Sequence, residues 1–230
     1  MKEYEKNDQI GTREEFSAGN GTACAVKKEG IQGRAAASYI AKIGMFSALA
    51  FVLYLLKFPM PFIFPVWLEL HFSDIAAVIA GFALGPVAGC AVAVLRVVLK
   101  LIVMGTSTGF IGELGDVLIG LSFTLPASLI YKYNRTRRGA MIGLLAGAIG
   151  SVTGAIISNR FLLIPFYGNL MGMNALVGMM KGLFGGITVN NFYAYYLWLS
   201  VLPFNIFRVI VIDIVTLFAY KHISRLLGKF

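Results

Sequence analysis

The sequence predicts an all-α polytopic membrane protein: six transmembrane helices around an outward-facing ligand pocket. Three observations carry that expectation. The apolar set makes up 58% of the 230 residues while only 13% are charged, about half the charged share of a soluble domain. Mean hydropathy is +0.78, so most of the surface must face lipid rather than water. The charge is also unevenly placed. Residues 1–34 hold six acidic and six basic side chains and sum to zero; residues 35–230 hold 14 basic and five acidic ones and carry the whole +9. That excess falls between long apolar runs, which fits membrane topology better than nucleic-acid binding.

Residues 1–34 mix both charge signs with scattered Gly and Asn. They lack the basic start and apolar core of a cleavable signal peptide, and are expected to form a disordered cytoplasmic tail. The first apolar run, 35–56, is long enough to cross a core of roughly 30 Å. Ala37, Ala41, Gly44 and Ala48 fall on one of its faces at spacings of three and four. Such a face admits a neighbouring helix closely, either inside this chain or on a separate membrane subunit. Residues 57–73, KFPMPFIFPVWLELHFS, are broken by Pro59, Pro61 and Pro65 but rich in aromatics, as in an interfacial anchor or a pocket lid. Asp74 is expected to cap a short helix over 75–84, which Gly85 and Pro86 end.

A helix over 87–103 follows, with Arg96 and Lys100 on one face; charges at that depth normally face protein or water. The Gly/Ser/Thr-rich turn over 104–112 leads into a helix over 113–131, with Glu113 and Asp116 near its start, where acids complement the helix dipole. After the basic segment 132–138 comes a helix over 139–165 with Gly143, Gly147, Gly150 and Gly154 on one face. Residues 166–197 read as a long loop holding a short interfacial helix, and 200–220 as the last span, carrying Arg208 and Asp213. The basic tail 223–230 closes the membrane domain of 35–222. Six spans put both ends on one side, and the Lys/Arg clusters make that side cytoplasmic. The proline loop, the 104–112 turn and the 166–197 loop then share the outer side, where irregular backbone must line a cavity or bury in protein.

Enzyme signatures are missing: there is no Walker A sequence, HExxH or GxSxG. Cys24 and Cys90, and His71 and His222, are too far apart for a zinc spacing. FVLYLLKFPMPF (51–62) followed by LELHFSDIAAVIAGFALGPVAG (68–89) resembles the substrate-binding S component of energy-coupling factor (ECF) transporters, most of all the riboflavin-specific branch. GTSTGFIGELGDVLIGLSFTLPASLIYK (105–132), NRFLLIPFYG (159–168) and LPFNIFRVIVID (202–213) agree with it in order and spacing. The resemblance implies a six-helix plasma-membrane protein that binds riboflavin, or its phosphate FMN, as cargo and needs no resident cofactor. Its partners would be a transmembrane coupling subunit and two ATPase subunits, which supply the ATP hydrolysis. An S component for another vitamin or flavin precursor, or a structural membrane protein, are the alternatives.

The sequence departs from the family pattern at four positions: His71 stands where an acid is common, Arg96 and Arg208 where Lys is usual, and Asp116 where Asn is usual. A flavin asks for an apolar slot, donors for its polar edge and polar groups for its polyol tail. Phe64, Trp67, Leu68 and Leu70 are candidates for the wall or lid; Asn159, Asn205 and Arg208 for the edge; Thr106, Ser107 and Glu113 for the polar end. Each has a plainer alternative: a helix-end cap for Asn159, a pair with Asp213 or a neighbouring helix for Arg208, lipid-interface anchoring for the aromatics. Ala41, Gly44 and Ala48 are the candidates for docking the coupling subunit.

Overall fold

The computed structural model describes residues 34, 36–60, 63–65, 67–106 and 108–227, with side chains to Tyr220. Residues 1–33 with Cys24, Ser107 and 228–230 therefore lie outside what is described, as do the side chains of 221–227. Five helices are long and apolar enough to cross a membrane, and a sixth, of 12 residues, is shorter.

Helix α1, Ala36–Leu55, leads into the proline segment. There β1 (Phe58–Pro59) pairs antiparallel with β2 (Glu69–Leu70), closing the intervening residues into a loop. Prolines prevent a helix here, and the short pairing satisfies part of the backbone that the helix would have satisfied. Helix α2, Ser73–Leu84, is buried over its first ten residues. Asp74 lies within its first turn, and Phe72 occupies the N-cap position without a side-chain cap. The expected Asp74 cap is thus corrected: buried arginines claim its carboxylate. Helix α3 is Pro86–Met104 and α4 is Ile111–Tyr133, running through Pro126. The basic segment shrinks to a tight turn, because Thr136 caps α5 (Arg137–Ser158) by accepting from the Gly139 amide at 3.0 Å.

The largest correction concerns 159–201. Pro165 does not end a helix, and 166–197 is mostly not a loop. Helix α5 passes through a π-helical turn, Asn159–Leu163, into α6, Ile164–Met171, as one 35-residue helix. After α7 (Met173–Met180), α8 (Phe192–Tyr196) passes through a second π-helical turn, Leu197–Val201, into α9 (Leu202–Leu227). The last span therefore begins well before Ser200. Both π turns are followed by a residue and then a proline, Ile164-Pro165 and Leu202-Pro203. Proline lacks an N–H and crowds the carbonyl four residues back. The wider π turn just before it offers room for that misfit, so neither helix breaks.

The core joins α2, α4, α5 and α9 through Ile75, Val78, Phe82, Phe123, Tyr131, Leu144 and Ile212. Large apolar side chains such as Val87, Ile102, Leu145, Phe161 and Phe218 are exposed, as suits lipid.

Candidate functional site

A cavity of about 380 Å³ opens at the end of the bundle opposite the 134–136 turn, within the range for small-molecule sites, roughly 300–1,000 Å³. Its lining comes from the end of α1, the proline loop, the 105–108 turn with the adjoining ends of α3 and α4, the first π turn, and the start of α9. The proline loop and the 104–112 turn, which topology assigned to one side, thus meet here, and Tyr167 is the one lining residue from 166–197. Trp67, Tyr54, Tyr167 and Phe204 supply aromatic surface, and Leu68, Val97, Ile119 and Leu163 aliphatic surface.

Of the residues singled out from the sequence, Trp67, Leu68, Thr106, Glu113, Asn159, Asn205 and Arg208 line the cavity. Leu70 and Phe64 do not. They pack with Phe204 in a buried cluster, the Phe64 and Phe204 rings 5.2 Å apart, so they back the wall rather than form it. Tyr54, Tyr167, Lys57 and Glu69 were not singled out; their place follows from the cross-strand pairing and the uninterrupted α5–α6 helix.

Residues 35–230 contain only five acids, and Glu69, Asp74, Glu113 and Asp116 gather at or just behind this cavity. On one wall Asp74 (1% exposed) pairs with Arg96 (0% exposed) at 2.8 Å and with Arg208. Arg96 Nη2 also reaches Asp116 Oδ1 at 3.2 Å, and His71 Nε2 lies 3.5 Å from that oxygen. Ser73 Oγ joins the group, receiving from Arg96 and lying 2.9 Å from His71 Nδ1. A Cβ at Gly120 would stand 2.7 Å from Arg96 Nη2, so glycine there makes space for the guanidinium. Arg208 is therefore paired to α2, and not to Asp213, whose Oδ1 is buried with no hydrogen-bond partner among the described residues. All four departures from the family pattern belong to this one network. In this network two carboxylates, Asp74 and Asp116, face the guanidiniums of Arg96 and Arg208.

Nearer the 105–108 turn, Glu113 accepts from Lys100, from Thr108 Oγ1 at 2.7 Å and from Thr106 Oγ1 at 3.1 Å. Thr106 Oγ1 in turn accepts from the Thr108 and Phe110 amides. Lys57 holds Glu69 through both carboxylate oxygens at 2.8 and 2.9 Å. Every cation lining the cavity thus has a carboxylate partner among the described residues.

Two neutral amides also line the cavity. Asn159 and Asn205 each donate from Nδ2 to the carbonyl four residues back, Ala155 and Val201, at 2.8 Å. Tyr196, fully buried, donates to Asn159 Oδ1 at 2.6 Å and accepts from Trp67 Nε1 at 3.0 Å. Both asparagines sit at or beside a π turn, a feature frequent at functional sites. The arrangement can bind a flat, largely uncharged molecule: apolar faces, amide donors and acceptors, and a fixed ionic frame.

The family model for the substrate-specific component of ECF transporters matches residues 38–220. The chain is 36% identical over 188 residues to the riboflavin transporter RibU of Staphylococcus aureus (strain TCH60), covering 81% of this chain and 90% of that one. It is 32% identical over 176 residues to the riboflavin transporter FmnP of Bacillus subtilis (strain 168), covering 75% and 85%. A solved structure of the S component of a bacterial ECF transporter superposes with a TM-score of 0.62 at 34% identity, covering 83% of this chain and 97% of that one.

Proposed function

The chain belongs to the family of ECF transporter substrate-specific components, which are transport subunits and not enzymes, and from that premise we propose that it captures riboflavin for import. The observation that carries the reading is the cavity itself: aromatic and aliphatic walls with Asn159, Asn205 and Arg208 converging on about 380 Å³. A flavin needs those features, a flat apolar slot with polar groups at one edge. Two relatives named as riboflavin transporters, each matched over at least three quarters of this chain, support the same cargo.

In this reading the protein sits in the bacterial plasma membrane with both termini cytoplasmic. The cavity opens outward, since the basic turn with Lys132, Arg135, Arg137 and Arg138, all exposed, marks the opposite end as the inside. A transmembrane coupling subunit docks on the Ala41, Gly44 and Ala48 face, and two ATPase subunits power release. A cysteine introduced at 190 is expected to react with an impermeant reagent added outside, and one at 136 is not; the reverse labelling overturns the orientation. For the cargo, protein purified in detergent from a flavin-producing host is expected to be yellow and to quench added riboflavin fluorescence. A colourless preparation that leaves riboflavin fluorescence unchanged sinks the flavin reading.

A further inference from the structure

An asparagine amide can turn either its oxygen or its nitrogen toward a neighbour, and the two choices present opposite chemistry to a ligand. At Asn159 two neighbours remove the choice. The Trp67 indole N–H is a donor only, and it meets the Tyr196 hydroxyl oxygen at 3.0 Å. The Tyr196 hydroxyl accepts there, so its single proton is free for its other neighbour, Asn159, 2.6 Å away. An Oδ1 facing Tyr196 takes that proton, whereas an Nδ2 there would leave it unused. The Ala155 carbonyl, an acceptor only, stands 2.8 Å from the other amide atom and requires it to be Nδ2. The carbonyl excludes the flipped amide, and the hydroxyl proton favours the same orientation.

We propose that Tyr196 is a positioning residue: it fixes the Asn159 amide so that its remaining Nδ2–H is the proton offered to the cavity, where it meets a ligand acceptor such as a carbonyl oxygen or an unprotonated ring nitrogen. Tyr196 does not line the cavity and acts only through Asn159. Its own place is secured by packing: it stacks on Phe192 at 5.5 Å within the buried cluster of α7, α8 and the second π turn. The relay also ties the proline loop, through Trp67, to two helices. The proposal rests on reading the cavity as a flavin site.

The test is a double-mutant cycle in detergent, read by quenching of riboflavin fluorescence in wild type, Tyr196→Phe, Asn159→Ala and the double variant. Tyr196→Phe keeps the ring and its stacking but takes a partner from Trp67 Nε1–H and Asn159 Oδ1, so the ligand-free protein should still unfold cooperatively, at a moderately lower temperature. Its riboflavin affinity should fall about tenfold, the scale of one buried hydrogen bond. In the Asn159→Ala background the same substitution should change affinity by less than about twofold, because residues acting through one another are not additive. Equal losses in both backgrounds, or no loss in either, overturn the proposal. Asn159→Asp supplies a check that leaves Tyr196 in place: it keeps an acceptor for the tyrosine but lacks the amide proton, and should bind as weakly as Asn159→Ala. Wild-type affinity in Asn159→Asp also overturns it. A wild-type protein that does not bind riboflavin removes the underlying reading, whereas riboflavin binding with an additive cycle removes this proposal alone.

Discussion

Two helices of this protein carry the same sequence pattern and have opposite surroundings. On α5, Gly143, Gly147 and Gly150 lie against the α4 backbone. A Cβ added at these positions would stand 2.6, 2.7 and 2.3 Å from the carbonyl oxygens of Ala127, Phe123 and Ser122. On α1, Ala41, Gly44 and Ala48 are exposed, and a Cβ at Gly44 would meet nothing within 4 Å. Small residues at spacings of three and four permit close helix approach, but the pattern does not say which helix approaches. On α5 the neighbour belongs to the same chain. On α1, Gly44 and Ala48 are exposed, and the proposal that a coupling subunit docks there gives this face its neighbour from elsewhere.

Substitutions at three positions sharpen this contrast, from the largest effect on the isolated protein to the smallest. Gly147→Leu drives a branched side chain into the α4 backbone, where no flexible side chain can give way. Overpacking typically costs about 1–3 kcal/mol, and against a rigid carbonyl the expected outcome is at or above that range, read as a large drop in unfolding temperature and loss of flavin binding. Near-native stability would break the comparison at its covered face.

Arg208→Ala acts at the cavity wall. It leaves the buried Asp74 with Arg96 alone, and breaking a buried ion pair costs about 3–5 kcal/mol when one partner is removed. Stability and riboflavin affinity should fall together. Arg208→Lys keeps the charge but not the forked geometry, and should be milder in both readouts; equal losses for Lys and Ala would show that geometry, not charge, holds the network.

Ala48→Leu should leave unfolding temperature and riboflavin affinity unchanged and abolish uptake in cells that contain the coupling module. Loss of affinity together with uptake would mean that the face packs internally, and the contrast with α5 would disappear.

Much of the architecture was legible because it follows from local chemistry. Apolar run lengths gave six helices, and the positions of Lys and Arg separated the cavity end from the basic end. The asparagines, Trp67 and Arg208 stood out because polar or aromatic groups at membrane depth need a reason. What was not legible depends on partners distant in sequence. Pro165 read as the end of a helix and Pro203 as part of the opening of the last span, yet both lie within continuous helices just after a π turn; a proline does not disclose how the preceding turn widens. Tyr196 looked like one aromatic among many in a segment read as a loop, since its hydrogen-bond partner Asn159 is 37 positions away. Asp74 read as a cap because its real partners, Arg96 and Arg208, lie on other helices. The four departures from the family pattern looked independent along the chain and proved to be neighbours in space.

The central claim is that riboflavin occupies the cavity between the proline loop and the first π turn, and one paired titration tests it. Leu163 lines that cavity, and Leu163→Trp fills space within it while remaining apolar. Riboflavin fluorescence is titrated with purified wild type and with Leu163→Trp, each checked for cooperative unfolding. Saturable one-to-one quenching by the wild type is expected, with affinity at least about a hundredfold weaker, roughly 2.7 kcal/mol, in the folded variant. Equal quenching by both proteins would contradict it and place the flavin elsewhere on the molecule.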